Sequence, residues 1–100
     1  MSPTDNIGKT TMTAGKFTFS TSVKPIFVTI CAGTSEAASN KGMGVTNFRL
    51  VNDSYVPDTV ISFAQDGFVP TALTYNASTG QMTCSTNSTK NGIYAVQCYA

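Results

Sequence analysis

The chain has 100 residues, enough for one domain with one core, and carries 11% charged side chains with a formal net charge of +1. Its basic residues, five scattered lysines and one arginine, form no patch that would steer a nucleic acid, and no apolar stretch reaches the length of a membrane span. Leu, Ile, Val and Phe total 21 residues while Ser, Thr and Asn make up about a third, so the core is thin and the composition points to an all-β domain.

Residues 1–15, "MSPTDNIGKTTMTAG", hold Pro3, Gly8 and Gly15 among threonines, with Met1, Ile7 and Met12 as the only sizeable apolar groups. So little apolar surface predicts either a flexible arm that orders on binding or a disordered tail, ahead of a domain spanning 16–100. The segment also lacks the apolar run of a signal peptide, so the chain is expected to be made and used without crossing a membrane. "GKTT" resembles the end of a phosphate-binding loop, but Pro3 stands where that motif needs its first glycine.

"KFTFSTSV", residues 16–23, alternates Phe17 and Phe19 against Lys16, Thr18 and Ser20, the pattern of a half-buried strand. Pro25 cannot donate to a ladder and so opens the next strand or a turn before it. "PIFVTICA", residues 25–32, is apolar on both alternating faces, with Ile26, Val28 and Ile30 on one and Phe27 and Cys31 on the other. That predicts a strand covered on both faces, placed mid-sheet or beneath a second subunit.

"GTSEAASNKGMG", residues 33–44, predicts a long exposed loop with a helical turn at 35–39 and one large apolar group, Met43. "VTNFRLV", residues 45–51, sets Phe48 and Leu50 against Asn47 and Arg49, after which "NDS" and Pro57-Asp58 break the chain before a strand at 59–64. Gln65-Asp66-Gly67 carries the Asp-Gly pair of a tight hairpin turn.

Residues 68–75, "FVPTALTY", lead through "NASTG" into 81–86, a spacing that fits a type I turn closed by Gly80 in a left-handed bulge position. Pro70 confines its strand to an edge or a bulge. A loop at 87–92 returns the chain as "IYAVQCY", 93–99. As a hairpin, pairing Cys84 with Val96 gathers Met82, Cys84, Tyr94, Val96 and Cys98 on one apolar face, leaving the two cysteines too far apart diagonally for an unstrained bridge. The sum is six or seven short, mostly antiparallel strands in a single-domain β-sandwich or small barrel.

Chemistry is scarce. The absence of histidine removes Ser-His and Cys-His pairs, and the three cysteines, Cys31, Cys84 and Cys98, lie in apolar runs without a CxxC pair, so free thiols are expected and no metal or other cofactor. Asp5, Glu36, Asp53, Asp58 and Asp66 each fall in an expected arm or turn, where carboxylates cap backbone groups, and the sequons at Asn52, Asn76 and Asn87 are read as turn chemistry. No enzyme is expected. Tyr55 beside Asn52 and Asp53 is the one loop aromatic that could pair stacking with polar contacts, as a glycan site requires.

In overall character, a hundred residues rich in Thr, Ser, Asn and Gly, free of histidine and opening on a loose arm, the chain resembles small structural proteins of tailed-phage virions. The "YNASTGQM" hairpin looks like turns in virion β-domains. The resemblance implies a head decoration or cement protein that sits at coat-subunit junctions, often as a trimer. Its partners would be the major capsid protein or other virion subunits, with no nucleic acid and no membrane, and it would reside in the virion. Ile7, Lys9 and Met12 of the arm and Met43 of the long loop are the expected contacts, as apolar or charged groups stranded in polar segments. The alternative is a receptor- or glycan-binding module, a fibre tip or small adhesin, acting through Tyr55, Asn52 and Asp53.

Overall fold

Eight strands, β1 (Asp5–Met12), β2 (Lys16–Ser20), β3 (Phe27–Thr34), β4 (Gly42–Val51), β5 (Ser54–Ala64), β6 (Pro70–Asn76), β7 (Gln81–Thr86) and β8 (Gly92–Tyr99), form two antiparallel sheets. The computed structural model describes residues 2–35, 42–64 and 68–100, apart from the side chains of 62–64. One sheet has the order β1-β8-β3-β4-β5 and the other β2-β7-β6, and they pack face to face as a sandwich. The all-β expectation holds, and among the described residues there is no helix.

The core lies between the sheets. Val28, Ile30, Phe48, Val96 and Cys98 come from the larger sheet, and Phe17, Phe19, Leu73, Met82 and Cys84 from the smaller, each from the buried positions of an alternating strand. Phe17 of β2 stacks on Tyr94 of β8 with ring centroids 3.7 Å apart and planes 11° from parallel. Phe68, fully buried with φ at 63°, reaches the same core from the connection between β5 and β6.

Residues 5–12, expected as an arm without fixed structure, form β1 and pair with β8 from Asp5↔Cys98 to Met12↔Gly92. Met12 is 3% exposed and Ile7 packs against the core, so two apolar groups suffice because β8 supplies the rest of the surface they need. Asp5 reinforces the strand by accepting from the Ser22 backbone N–H and hydroxyl at 3.0–3.2 Å.

The hairpin of β6 and β7 is as expected: Thr79 and Gly80 both donate to the Asn76 carbonyl, and Gly80 has φ 73°. β6 is an edge strand with a register shift between Pro70 and Ala72, which is how the proline is accommodated. β7 and β8, however, are not neighbours. The loop at 87–91 carries the chain across the sandwich, and Cys84 pairs with Phe17 and Leu73 while Val96 pairs with Ile7 and Ile30. Both strands do bury the faces assigned to them, but against each other's sheet instead of side by side.

Two smaller differences concern the middle of the chain. β5 runs unbroken from Ser54 through Pro57-Asp58, where a register irregularity opposite Asn47 and Phe48 absorbs the proline. Gly33 and Thr34 extend β3, and Gly42–Gly44 extend β4, so the connection is shorter than expected; residues 36–41, with the helical turn and Glu36, and 65–67, with the Asp-Gly turn, lie outside the described residues.

Candidate functional site

β3 is the central strand of the larger sheet, as its apolarity requires, but among the described residues only one of its faces is covered. Val28, Ile30 and Ala32 are buried inward, while Phe27, Thr29 and Cys31 are half-buried on the outer face. That outer face is the candidate site, and the register sets its side chains in rows that cross the sheet.

One row is polar and uncharged: Asn6, Gln97, Thr29, Asn47 and Thr59 from β1, β8, β3, β4 and β5. Thr29 Oγ1 donates to Asn47 Oδ1 at 2.9 Å, so part of the row is already ordered. To one side lie Ala95, Cys31, Val45 and Ile61, then Ile93, Gly33 and Met43. To the other lie Tyr99, Phe27, Arg49 and Val56, with the two rings 6.0 Å apart at 57° and the Tyr99 hydroxyl donating to Gln97 Oε1 at 3.3 Å.

The apolar rows are recessed. A trough of about 470 Å³ is lined by Lys9, Cys31, Gly33, Met43, Ile93 and Ala95, and Cys31 and Ala95 also border a smaller hollow beside Asn6, Thr29 and Gln97. The depth arises because Gly33, Cys31 and Ala95 are small residues in the middle of the sheet, flanked by longer Met43 and Ile93. A cleft of this size, apolar with a few polar groups at its margin, is of the kind that takes a partner's side chains or a small ligand.

The expected contact residues separate. Lys9 and Met43 border the trough, with Met43 44% exposed, whereas Ile7 and Met12 face the interior. Nor does the turn at 52–55 assemble a glycan site. Asn52 and Asp53 take φ of 50° and 63°, the left-handed pair of a tight hairpin turn, and Asp53 receives Lys24 Nζ at 3.1 Å. Tyr55 points inward from β5, its hydroxyl donating to the Pro25 carbonyl at 2.7 Å; burial, then the nearby Cys98 and Tyr75, push its pKa up to about 12.

Among the described residues no three His, Cys, Asp or Glu side chains cluster as metal ligands would. The described carboxylates are engaged locally, Asp5 with Ser22, Asp53 with Lys24 and Asp58 with Arg49 at 3.6 Å. No helix among the described residues is long and apolar enough to cross a membrane. Comparison with protein-family models, curated proteins and solved structures finds no match to this chain.

The thiols are unbridged, and burial raises the pKa of all three, to about 12 for Cys84 and Cys98. Since the thiolate is the reacting form, each is less reactive at neutral pH than a free cysteine. Iodoacetamide at mildly alkaline pH should label Cys31 slowly in the native protein, and Cys84 and Cys98 only after denaturant is added. Mass spectrometry of the labelled peptides checks this; early labelling of Cys84 would mean the sandwich opens locally.

An outer-face site could have been suspected from the strand residues opposite the core pattern. Thr29, Asn47 and Gln97 are uncharged where a solvent-facing sheet ordinarily carries Lys or Glu, but without strand order nothing in the sequence aligns them.

Proposed function

We propose that this protein is a structural component of a virion that decorates or cements a phage capsid, docking at coat-subunit junctions through the outer face of the larger sheet. The observation that carries this reading is the makeup of that face. Five strands present amides, hydroxyls, small apolar groups and an aromatic pair, with Arg49 among them and Lys9 at the trough margin. Depletion of charge with enrichment of aromatic residues and Met marks the centre of a protein interface. A thin core adds to the case, because a domain that binds a partner only when folded gains stability from that partner.

The alternative reading, a receptor- or glycan-binding module, moves to the same face, where Phe27 and Tyr99 flank the amide row. Quantitative mass spectrometry of purified particles separates the two: coat-like copy numbers are expected of a cement, and a handful of copies, or none, would overturn that reading. Ala95→Arg, which fills the trough from its floor, should weaken particle binding by about tenfold or more, the size of effect a charge buried at an interface produces, with little change in Tm. Full binding by a folded Ala95→Arg chain would remove the outer face from consideration.

A further inference from the structure

Among the described residues the two sheets leave four strand edges open, β1 and β5 on the larger sheet and β2 and β6 on the smaller. An open edge offers unpaired N–H and C=O groups to any other strand, and proteins blunt such edges with charge, proline, bulges or shortness. Three of the four are blunted. β1 carries Asp5 and Lys9 and an irregularity between Ile7 and Thr10; β2 has five residues and begins on Lys16; β6 opens on Pro70 with its own register shift.

β5 is protected over its first half only. Pro57 and the Arg49–Asp58 pair lie at its bulge, but residues 59–64, "TVISFA", contain no charge, proline or glycine and pair regularly with β4 from Asn47↔Thr59 to Gly42↔Ala64. Val60 and Ile61 point to opposite faces, yet are 51% and 49% exposed. Side chains on an edge strand have a cross-strand neighbour on one side only, and a further strand would cover both.

We propose that residues 59–63 are the pairing edge for a second copy of this chain, joined antiparallel about a two-fold axis through Ile61. The segment suits itself as partner. The two-fold sets Ile61 opposite Ile61 and Val60 opposite Ser62, with no like charges brought together, and every blunting device on β5 stays beyond the ladder. A charge-free strand has no sign by which to select a foreign partner, and a two-fold contact closes on itself where an unpaired apolar edge would go on to aggregate. The apolar row Cys31, Val45, Ile61 then runs on into its symmetry mate, and the outer faces of both copies lie on the same side. The pairing stands whether or not that face binds a capsid.

Sedimentation over a concentration series tests it on the full chain. A monomer–dimer equilibrium insensitive to salt is expected, weakened about tenfold or more by Val60→Lys and by Ile61→Lys through charge placed at the ladder. Both positions are exposed, so far-UV circular dichroism and Tm should match the wild type. Independently, Ile61→Cys in a Cys31→Ser chain should form an intermolecular disulfide on mild oxidation, since opposed Cα atoms lie roughly 4.5–5.5 Å apart. Val56→Cys, before the bulge, should not. A monomer at every concentration, a dimer indifferent to both lysines, or a trimer would overturn the proposal.

Discussion

A chain lacking residues 2–12 should melt about 15–30 °C below the full-length protein, or fail to fold at all. The deletion removes β1, and with it the buried side chain of Met12, the packing of Ile7 and the ladder along β8. Burial of such side chains is worth about 1.5–3 kcal/mol each, so the loss approaches 4 kcal/mol before Val96 and Cys98 gain a wet flank. Small domains hold only about 5–15 kcal/mol in total. Circular dichroism with thermal melting reads the result. An unchanged Tm would mean that the segment is a detachable arm after all, and that its role is in binding. The experiment therefore also fixes how any particle-binding defect of such a deletion is interpreted: loss of binding by an unfolded chain says nothing about contacts.

The second large effect is expected at Phe68. Its ring is fully buried although its φ of 63° is one that bulky residues rarely adopt, so the packing overrides a local preference. Two glycines make room for it. A Cβ on Gly44 would stand 2.8 Å from the Phe68 carbonyl oxygen, and one on Gly92 would stand 2.8 Å from the ring and closer still to the Gly33 carbonyl oxygen. Phe68→Ala should cost about 3–5 kcal/mol, as large-to-small core changes do when the site cannot collapse. Gly92→Ala should also destabilise, and should continue to do so in the Phe68→Ala background, because the clash with the Gly33 carbonyl is independent of the ring. Chemical denaturation of the single and double variants checks both statements; full rescue of Gly92→Ala by Phe68→Ala would place the whole conflict on the ring instead.

Neither Phe68 nor β1 stood out in the sequence. Phe68 follows an Asp-Gly turn signal and precedes Pro70, which makes it look like the first residue of a strand when it is a plug seated outside one. β1 has two useful apolar residues in eight, fewer than an independent element needs, and is held by a strand eighty or more residues away. Local composition could not report that support. The Cys84–Val96 pairing failed for a different reason. An apolar face on 81–86 and another on 93–99 are satisfied equally by lying side by side in one sheet or by facing each other across a core, and periodicity is the same in both arrangements.

Where local physics leaves one solution, the sequence alone was sufficient. Alternation placed Phe17, Phe19, Val28, Ile30, Phe48, Met82 and Cys84 on their strands' apolar faces, Pro70 implied an edge or bulge, and Asn76 to Gly80 specified their turn, because side-chain period, proline's missing donor and glycine's positive φ act within a few residues. Only the tertiary structure decided which strands are neighbours, that residues 5–12 belong to a sheet, and that the outer residues of five strands align in a polar row beside an apolar trough. Those features depend on contacts between residues far apart in the chain. Their energies come from surfaces that exist only once the two sheets have closed on each other.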